Sequence, residues 1–162
     1  GTMVARRAEG YAMKVIYTKR TKDEKSVELD ELLAISDVVT LHVPLTEETR
    51  HIINNHTLAK MKKGSYLVNT ARGPIVDEHA LVDSLRDGHL AGAALDVFDN
   101  EPNIDPELIG MPNVITTPHI ASATHEAREA MAKLAVSGIL DTLSSKIPVN
   151  IVNKEVWEKR RK

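Results

Sequence analysis

Five short apolar runs, interleaved with helical patterns, constrain this chain more than any other feature. "MKVIYT" (13–18), "DVVTLHVP" (37–44), "SYLVNT" (65–70), "LAGAALDVF" (90–98) and "NVITTPH" (113–119) read as strands. They lack a clean polar face, as expected of a sheet covered by helices on both sides. The spacing predicts helices over "VELDELLAIS" (27–36) and "NNHTLAKMKKG" (54–64), the latter ended by Gly64. "DEHALVDSLRDG" (77–88) carries acids in its first turn and Gly88 after its last. A long helix closes the pattern over 123–145. Strands alternating with helices predict an α/β fold built on a parallel sheet.

Bulk composition removes several functional classes. Hydrophobic residues make up 42% and charged residues 27% of 162, in the range of globular domains. A net charge of −2 gives no electrostatic footprint for nucleic acid or membrane, and the basic tail "KEVWEKRRK" reads as a solvated end. Aromatics at 3% argue against base-stacking platforms. With no cysteine there is no disulfide or thiolate chemistry. No apolar run approaches the ~18 residues of a membrane span.

In a covered parallel sheet, ligands bind beyond the carboxyl ends of the strands, so residues just after each run matter most. Those residues are Lys19, Arg20, Pro44, Arg72, Asp96 and His119. Arg72, in "VNTARGP", either grips a ligand carboxylate with two parallel hydrogen bonds or pairs with a surface acid. The residues alone favour neither. Glu101 in "DVFDNEP" and His119 in "TTPHIAS" follow successive strands. If those strands are neighbours, the carboxylate can hold the imidazole, fix its tautomer and raise its pKa. An arginine beside a His–Glu pair suits carbonyl reduction, with His119 as proton donor. Asp96 ends an apolar strand and needs a donor if buried, a carboxamide or a backbone amide. The other histidines (42, 51, 56, 79, 89 and 125) show no metal-ligand spacing. In a dinucleotide-binding sheet the end of the second strand meets the adenine ribose. An acid there takes the 2′-hydroxyl, and basic residues accommodate a 2′-phosphate. After "VIYT" come Lys19, Arg20 and Thr21, with no acid until Asp23.

Four stretches then carry a resemblance: "SDVVTLHVPLTEETRHIIN", "MKKGSYLVNTARGPIVDEHALVDSL", "HLAGAALDVFDNEP" and "NVITTPHIASAT". In them the chain resembles the cofactor-binding domain of the D-isomer-specific 2-hydroxyacid dehydrogenases, most closely the glyoxylate/hydroxypyruvate reductases. The resemblance implies a Rossmann-like, doubly wound parallel sheet in three layers. It implies hydride transfer from NADPH to a small 2-oxo acid, with NADH possible. Arg72 would bind the substrate, His119 would give the proton and Glu101 would support it. Thr70, Ala71 and Arg72 would lie by the nicotinamide half, Asp96 would hold its carboxamide, and His119 and Ala121 complete that side. Val43, Pro44 and Thr49 would lie near the adenosine and pyrophosphate. Lys19, Arg20 and Thr21 resemble the NADPH-preferring members. Glu101 argues against a formate dehydrogenase. A homodimer formed through this domain, a cytoplasmic location, and no nucleic-acid or membrane partner are the accompanying expectations. The alternative is a non-catalytic, NAD(P)-sensing, corepressor-like association module, whose members keep the same three residues.

The family's G-x-G-x-x-G fingerprint would begin before this chain. Gly1 matches its last glycine with residues 2–8 as the helix behind it, or else precedes a start at Met3. Residues 1–150 are expected to be a partial dinucleotide-binding domain and 151–162 a tail. The first strand and the separate substrate domain are then absent. A piece of this kind is expected to bind NADPH poorly and to reduce little by itself.

Overall fold

A computed structural model of the chain describes residues 1–21 and 23–159. The last three residues of the basic tail lie outside them. The chain divides into two compact units, Gly1–His119 and Ile120–Lys162.

In the first unit, β1 (Val38–Leu41), β2 (Tyr66–Asn69), β3 (Gly92–Leu95) and β4 (Val114–Thr116) form one parallel sheet. The order is β1-β2-β3-β4, with Leu67 paired to Val39 on one side and Ala93 on the other. Around it lie α1 (Thr2–Gly10), α2 (Leu29–Ile35), α3 (Asn55–Lys60), α4 (Glu78–Arg86) and α5 (Pro106–Gly110). This is the Rossmann-like α/β arrangement that the sequence predicts.

Local chemistry explains the starts of α3 and α4. Asn54 accepts the His56 and Thr57 amides, and the Thr57 hydroxyl accepts the Asn54 amide, a reciprocal cap on α3. Asp77 accepts the Ala80 amide at the start of α4, whose Ala80, Leu81, Val82 and Leu85 turn inward. Gly88 supplies the left-handed backbone, φ 66°, that turns the chain after α4.

A strand order that runs one way, joined by right-handed crossovers, puts the connecting helices on one face. Val39, Leu41, Leu67 and Leu95 lie buried in one core with Leu33, Leu58, Leu81 and Leu108 from α2, α3, α4 and α5. Each fully buried leucine contributes about 1.5–3 kcal/mol. On the alternate positions Val38, Tyr66 and Ile115 are 42%, 51% and 68% exposed. The apolar character of both faces is as read from the sequence, but the deep burial is on one of them.

Two expectations need correction. Residues 13–18 form no strand; Tyr17 makes a single parallel bridge to Ser26. A strand requires a ladder, and β1, the edge of the sheet, is laddered only to β2. Gly64 does not end α3, which stops at Lys60; its φ of 82° serves the turn into β2. The apolar runs also overstate strand length. Leu90, Val97 and Phe98 are buried but outside β3, so apolarity there reports burial and not pairing.

In the second unit, α6 (His125–Leu143) starts at Thr124, whose hydroxyl accepts the Ala127 amide. None of its residues is buried. The Asn150 carboxamide reaches back to the Leu134 carbonyl at 3.5 Å.

Candidate active site

Parallel strands bring their carboxyl ends to one edge of the sheet. Arg72 follows β2 by three residues, Glu101 follows β3 by six, and His119 follows β4 by three. The strands are consecutive neighbours, so these three loops adjoin.

Asn69 builds the first loop. It is buried at the last position of β2; its carboxamide donates to the Arg72 carbonyl at 2.9 Å and accepts the Ala71 amide at 3.0 Å. The chain thereby bends around one side chain and presents Thr70 and Arg72 outward, both exposed. Arg72 Nη1 donates to the Ala71 carbonyl at 2.6 Å, and Arg72 forms no ion pair among the described residues. A guanidinium without a carboxylate at a cleft mouth keeps its two-pronged face available for an anion.

Gly73 then passes directly over the next loop. A Cβ there would sit 1.9 Å from the Phe98 carbonyl carbon and 2.4 Å from the Asp99 nitrogen, so only glycine permits this approach. Glu101 sits in that second loop and accepts the Phe98 amide at 3.0 Å with one oxygen. Its other oxygen lies 2.9 Å from His119 Nδ1. The imidazole and then the Phe98 amide hold the Glu101 carboxyl below the usual range, so it is ionised near neutrality. An ionised carboxylate only accepts, so Nδ1 carries the proton facing it and Nε2 is left for other chemistry. His119 adopts φ 53°, a left-handed conformation rare outside glycine and characteristic of functional positions.

Asp96 is 4% exposed at the end of β3 and accepts the Thr117 hydroxyl at 2.5 Å. A side-chain hydroxyl is a donor that the sequence reading did not consider for it. An open cleft of about 660 Å³ lies beside the Arg72 loop, lined by Gly1, His42, Val43, Pro44, Leu45, Thr70, Ala71 and Arg72. Thr49 does not line it. Its hydroxyl donates to the Pro44 carbonyl at 2.7 Å and accepts the Thr46 amide at 2.8 Å, so it shapes the loop that carries Val43 and Pro44.

The cleft suits an anionic dinucleotide. Helix α1 begins at its wall with no side-chain cap and no acid in its first turn, leaving free amides and the positive end of the helix dipole. Lys19, Arg20 and Thr21 are exposed after Thr18. Arg20 is close enough to the loop after β1 to help lower the Glu48 carboxyl, though Thr46 has the larger effect. Ala121 lies in the second unit.

Sequence reasoning missed Asn69, Gly73 and Thr117. Asn69 carried a usable signal, an asparagine ending an apolar run just before a glycine-proline turn. Gly73 and Thr117 act through the neighbouring strand's loop, and pairing is not written in local sequence.

The sequence pattern described as "D-isomer specific 2-hydroxyacid dehydrogenase, NAD binding domain" matches residues 1–121. Glyoxylate reductase of Thermococcus litoralis is 45% identical over 164 residues, covering 96% of this chain and 50% of that protein. Glyoxylate reductase of Thermofilum pendens is 47% identical over 171 residues, covering 99% and 50%. The chain thus spans about half the length of these curated relatives. Among solved structures, a protein from Thermus thermophilus superposes with a TM-score of 0.90 at 47% identity, over 94% of this chain and 50% of that one. An NADPH-dependent glyoxylate/hydroxypyruvate reductase from Sinorhizobium meliloti, in complex with NADP and malonate, gives 0.84 at 37% identity, over 89% and 47%. On these matches the chain belongs to the D-isomer specific 2-hydroxyacid dehydrogenase family, through the family's NAD binding domain.

Proposed function

We propose that this chain is the cofactor-binding and catalytic-residue part of an enzyme that reduces a small 2-oxo acid, glyoxylate or hydroxypyruvate, to the 2-hydroxy acid. The observation that carries this reading is the His119–Glu101 pair, 2.9 Å apart, on the sheet edge that also presents Arg72, which has no ion pair among the described residues. The reduced nicotinamide supplies the hydride when bound. Arg72 takes the substrate carboxylate and draws charge from the carbonyl oxygen. His119 delivers a proton from Nε2 to that oxygen, and Glu101 stabilises the protonated ring and fixes its orientation. Thr70, Ala71 and Asp96 are assigned to the nicotinamide side. Val43 and Pro44 are assigned to the pyrophosphate and adenosine, with Thr49 supporting their loop.

NADPH is the preferred cofactor in this reading, because Lys19, Arg20 and Thr21 stand where an NAD-selecting acid would be. The Sinorhizobium relative's bound NADP supports that choice. Residues 1–150 serve the dinucleotide and 151–162 form a tail; the intact protein works as a cytoplasmic homodimer. Among the described residues no helix is long and apolar enough to cross a membrane.

The test is steady-state oxidation of NADPH by the intact protein with glyoxylate and with hydroxypyruvate. Turnover is expected to fall about 10²–10⁴-fold in His119→Asn. Cofactor-dependent self-association with negligible turnover would overturn the reading in favour of an association module.

A further inference from the structure

Lys19 is not a free cation. Its ammonium is paired with Asp23, four residues on, and lies 5.7 Å from the centre of the Tyr17 ring. Asp23 is the hub of this turn. Its carboxylate also accepts the Tyr17 hydroxyl at 3.0 Å on both oxygens, the Ser26 amide at 2.9 Å and the Lys25 amide at 3.2 Å. An ammonium, a phenol and two adjacent backbone amides converging on one anion are the donor set of a phosphate site. Here the anion belongs to the protein. Arg20, the next residue, makes no hydrogen bond or ion pair among the described residues and acts on Glu48 only through a weak electrostatic effect.

We propose that Asp23 is a built-in competitor for the 2′-phosphate of NADPH: it keeps Lys19 engaged, limits the preference for NADPH over NADH, and leaves Arg20 as the main phosphate-binding cation. This rests on the NADPH reading above and adds the residue that tempers it. The phosphate must share or displace an anion already seated on Lys19, whereas the ribose hydroxyl of NADH carries no charge and meets no such competition. Lys19 hydrogen bonding, with lesser contributions from Tyr17 and Lys25, holds the Asp23 carboxyl down to about 2, so the competitor stays charged across the physiological range.

The experiment measures dissociation constants of NADPH and NADH for the intact protein by nicotinamide fluorescence. Asp23→Asn keeps an oxygen for the Lys25 and Ser26 amides and removes the charge. It is expected to tighten NADPH about three- to tenfold and to change NADH by less than about twofold. Lys19→Met in the Asp23→Asn background should cancel that gain. In the wild-type background, Arg20→Ala should weaken NADPH about tenfold, more than Lys19→Met does. Equal change for both cofactors in Asp23→Asn would overturn the proposal, because a merely structural role moves both. If Asp23→Asn is unstable, a Lys19→Met loss as large as that of Arg20→Ala would overturn it, by showing Lys19 already committed to the phosphate. A wild type that prefers NADPH while Asp23→Asn changes nothing overturns this inference alone. A wild type that prefers NADH, and loses it in Asp23→Asn, makes Asp23 the ribose acceptor and overturns the NADPH reading as well.

Discussion

At the level of single residues, the candidate site depends on which groups are committed and which are available. Glu101 is committed twice, to His119 and to the Phe98 amide, and these bonds hold its carboxyl below its ordinary value of 4.5. A depressed folded-state value means the bonds stabilise the fold fully above 4.5, and that their contribution is lost as the pH falls through the lower folded value. Glu101→Gln should therefore flatten the acid limb of a stability-versus-pH curve, read by denaturant melts between neutral pH and about pH 3. Among the described residues the Arg72 guanidinium is committed only to the neighbouring Ala71 carbonyl. Arg72→Ala should weaken 2-oxo acid binding and turnover together by about 10²-fold or more while leaving the melting temperature nearly unchanged. These three residues were legible in the sequence because each is a polar or charged exception just past an apolar run. Thr117 was not, since a threonine in "ITTPH" looks like any strand residue until β3 brings Asp96 against it.

At the level of elements, the loops after β2 and β3 are locked by a backbone crossing. Gly73→Ala would force a Cβ into the Phe98 carbonyl, at 1.9 Å in the present geometry, so the two loops must separate. The expected cost is about 2–4 kcal/mol by urea melting, with turnover falling further than stability because Arg72 moves relative to Glu101. The α4 cap gives a milder test. Asp77→Ala removes the bond to the Ala80 amide and should cost about 1 kcal/mol without changing cofactor affinity. The starts of α3 and α4 were readable because caps are local chemistry, whereas the stop of α3 was not, since Gly64 lies four residues past it. The segment 13–18 was misread because its β-branched and apolar residues fit a strand, yet strand formation is decided by a neighbour. Its one bridge, Tyr17 to Ser26, instead closes the turn that Asp23 organises.

At the scale of the molecule, a largely aliphatic core in the first unit lies under one face of the sheet and supports the edge that carries the candidate site. Leu81, fully buried on α4, lies in that core with Leu67 of β2. Leu81→Ala should cost about 2–5 kcal/mol and lower cofactor affinity only through unfolding. The parallel architecture was legible from the alternation of apolar runs with helices, and so was the end of the sheet that gathers Arg72, Glu101 and His119. Which face is deeply buried was not, because Val38, Tyr66 and Ile115 are as apolar as their buried neighbours. The proposed role of Arg72, Glu101 and His119 is to serve a hydride transfer to a 2-oxo acid. Its most direct test is to supply the intact protein with glyoxylate and NADPH deuterated at the transferring position, and to analyse the product by mass spectrometry. One deuterium is expected on the hydroxyl-bearing carbon of glycolate, with loss of labelled product in His119→Asn in proportion to the loss of rate. Unlabelled product, or labelling that persists at the wild-type rate in His119→Asn, would contradict it.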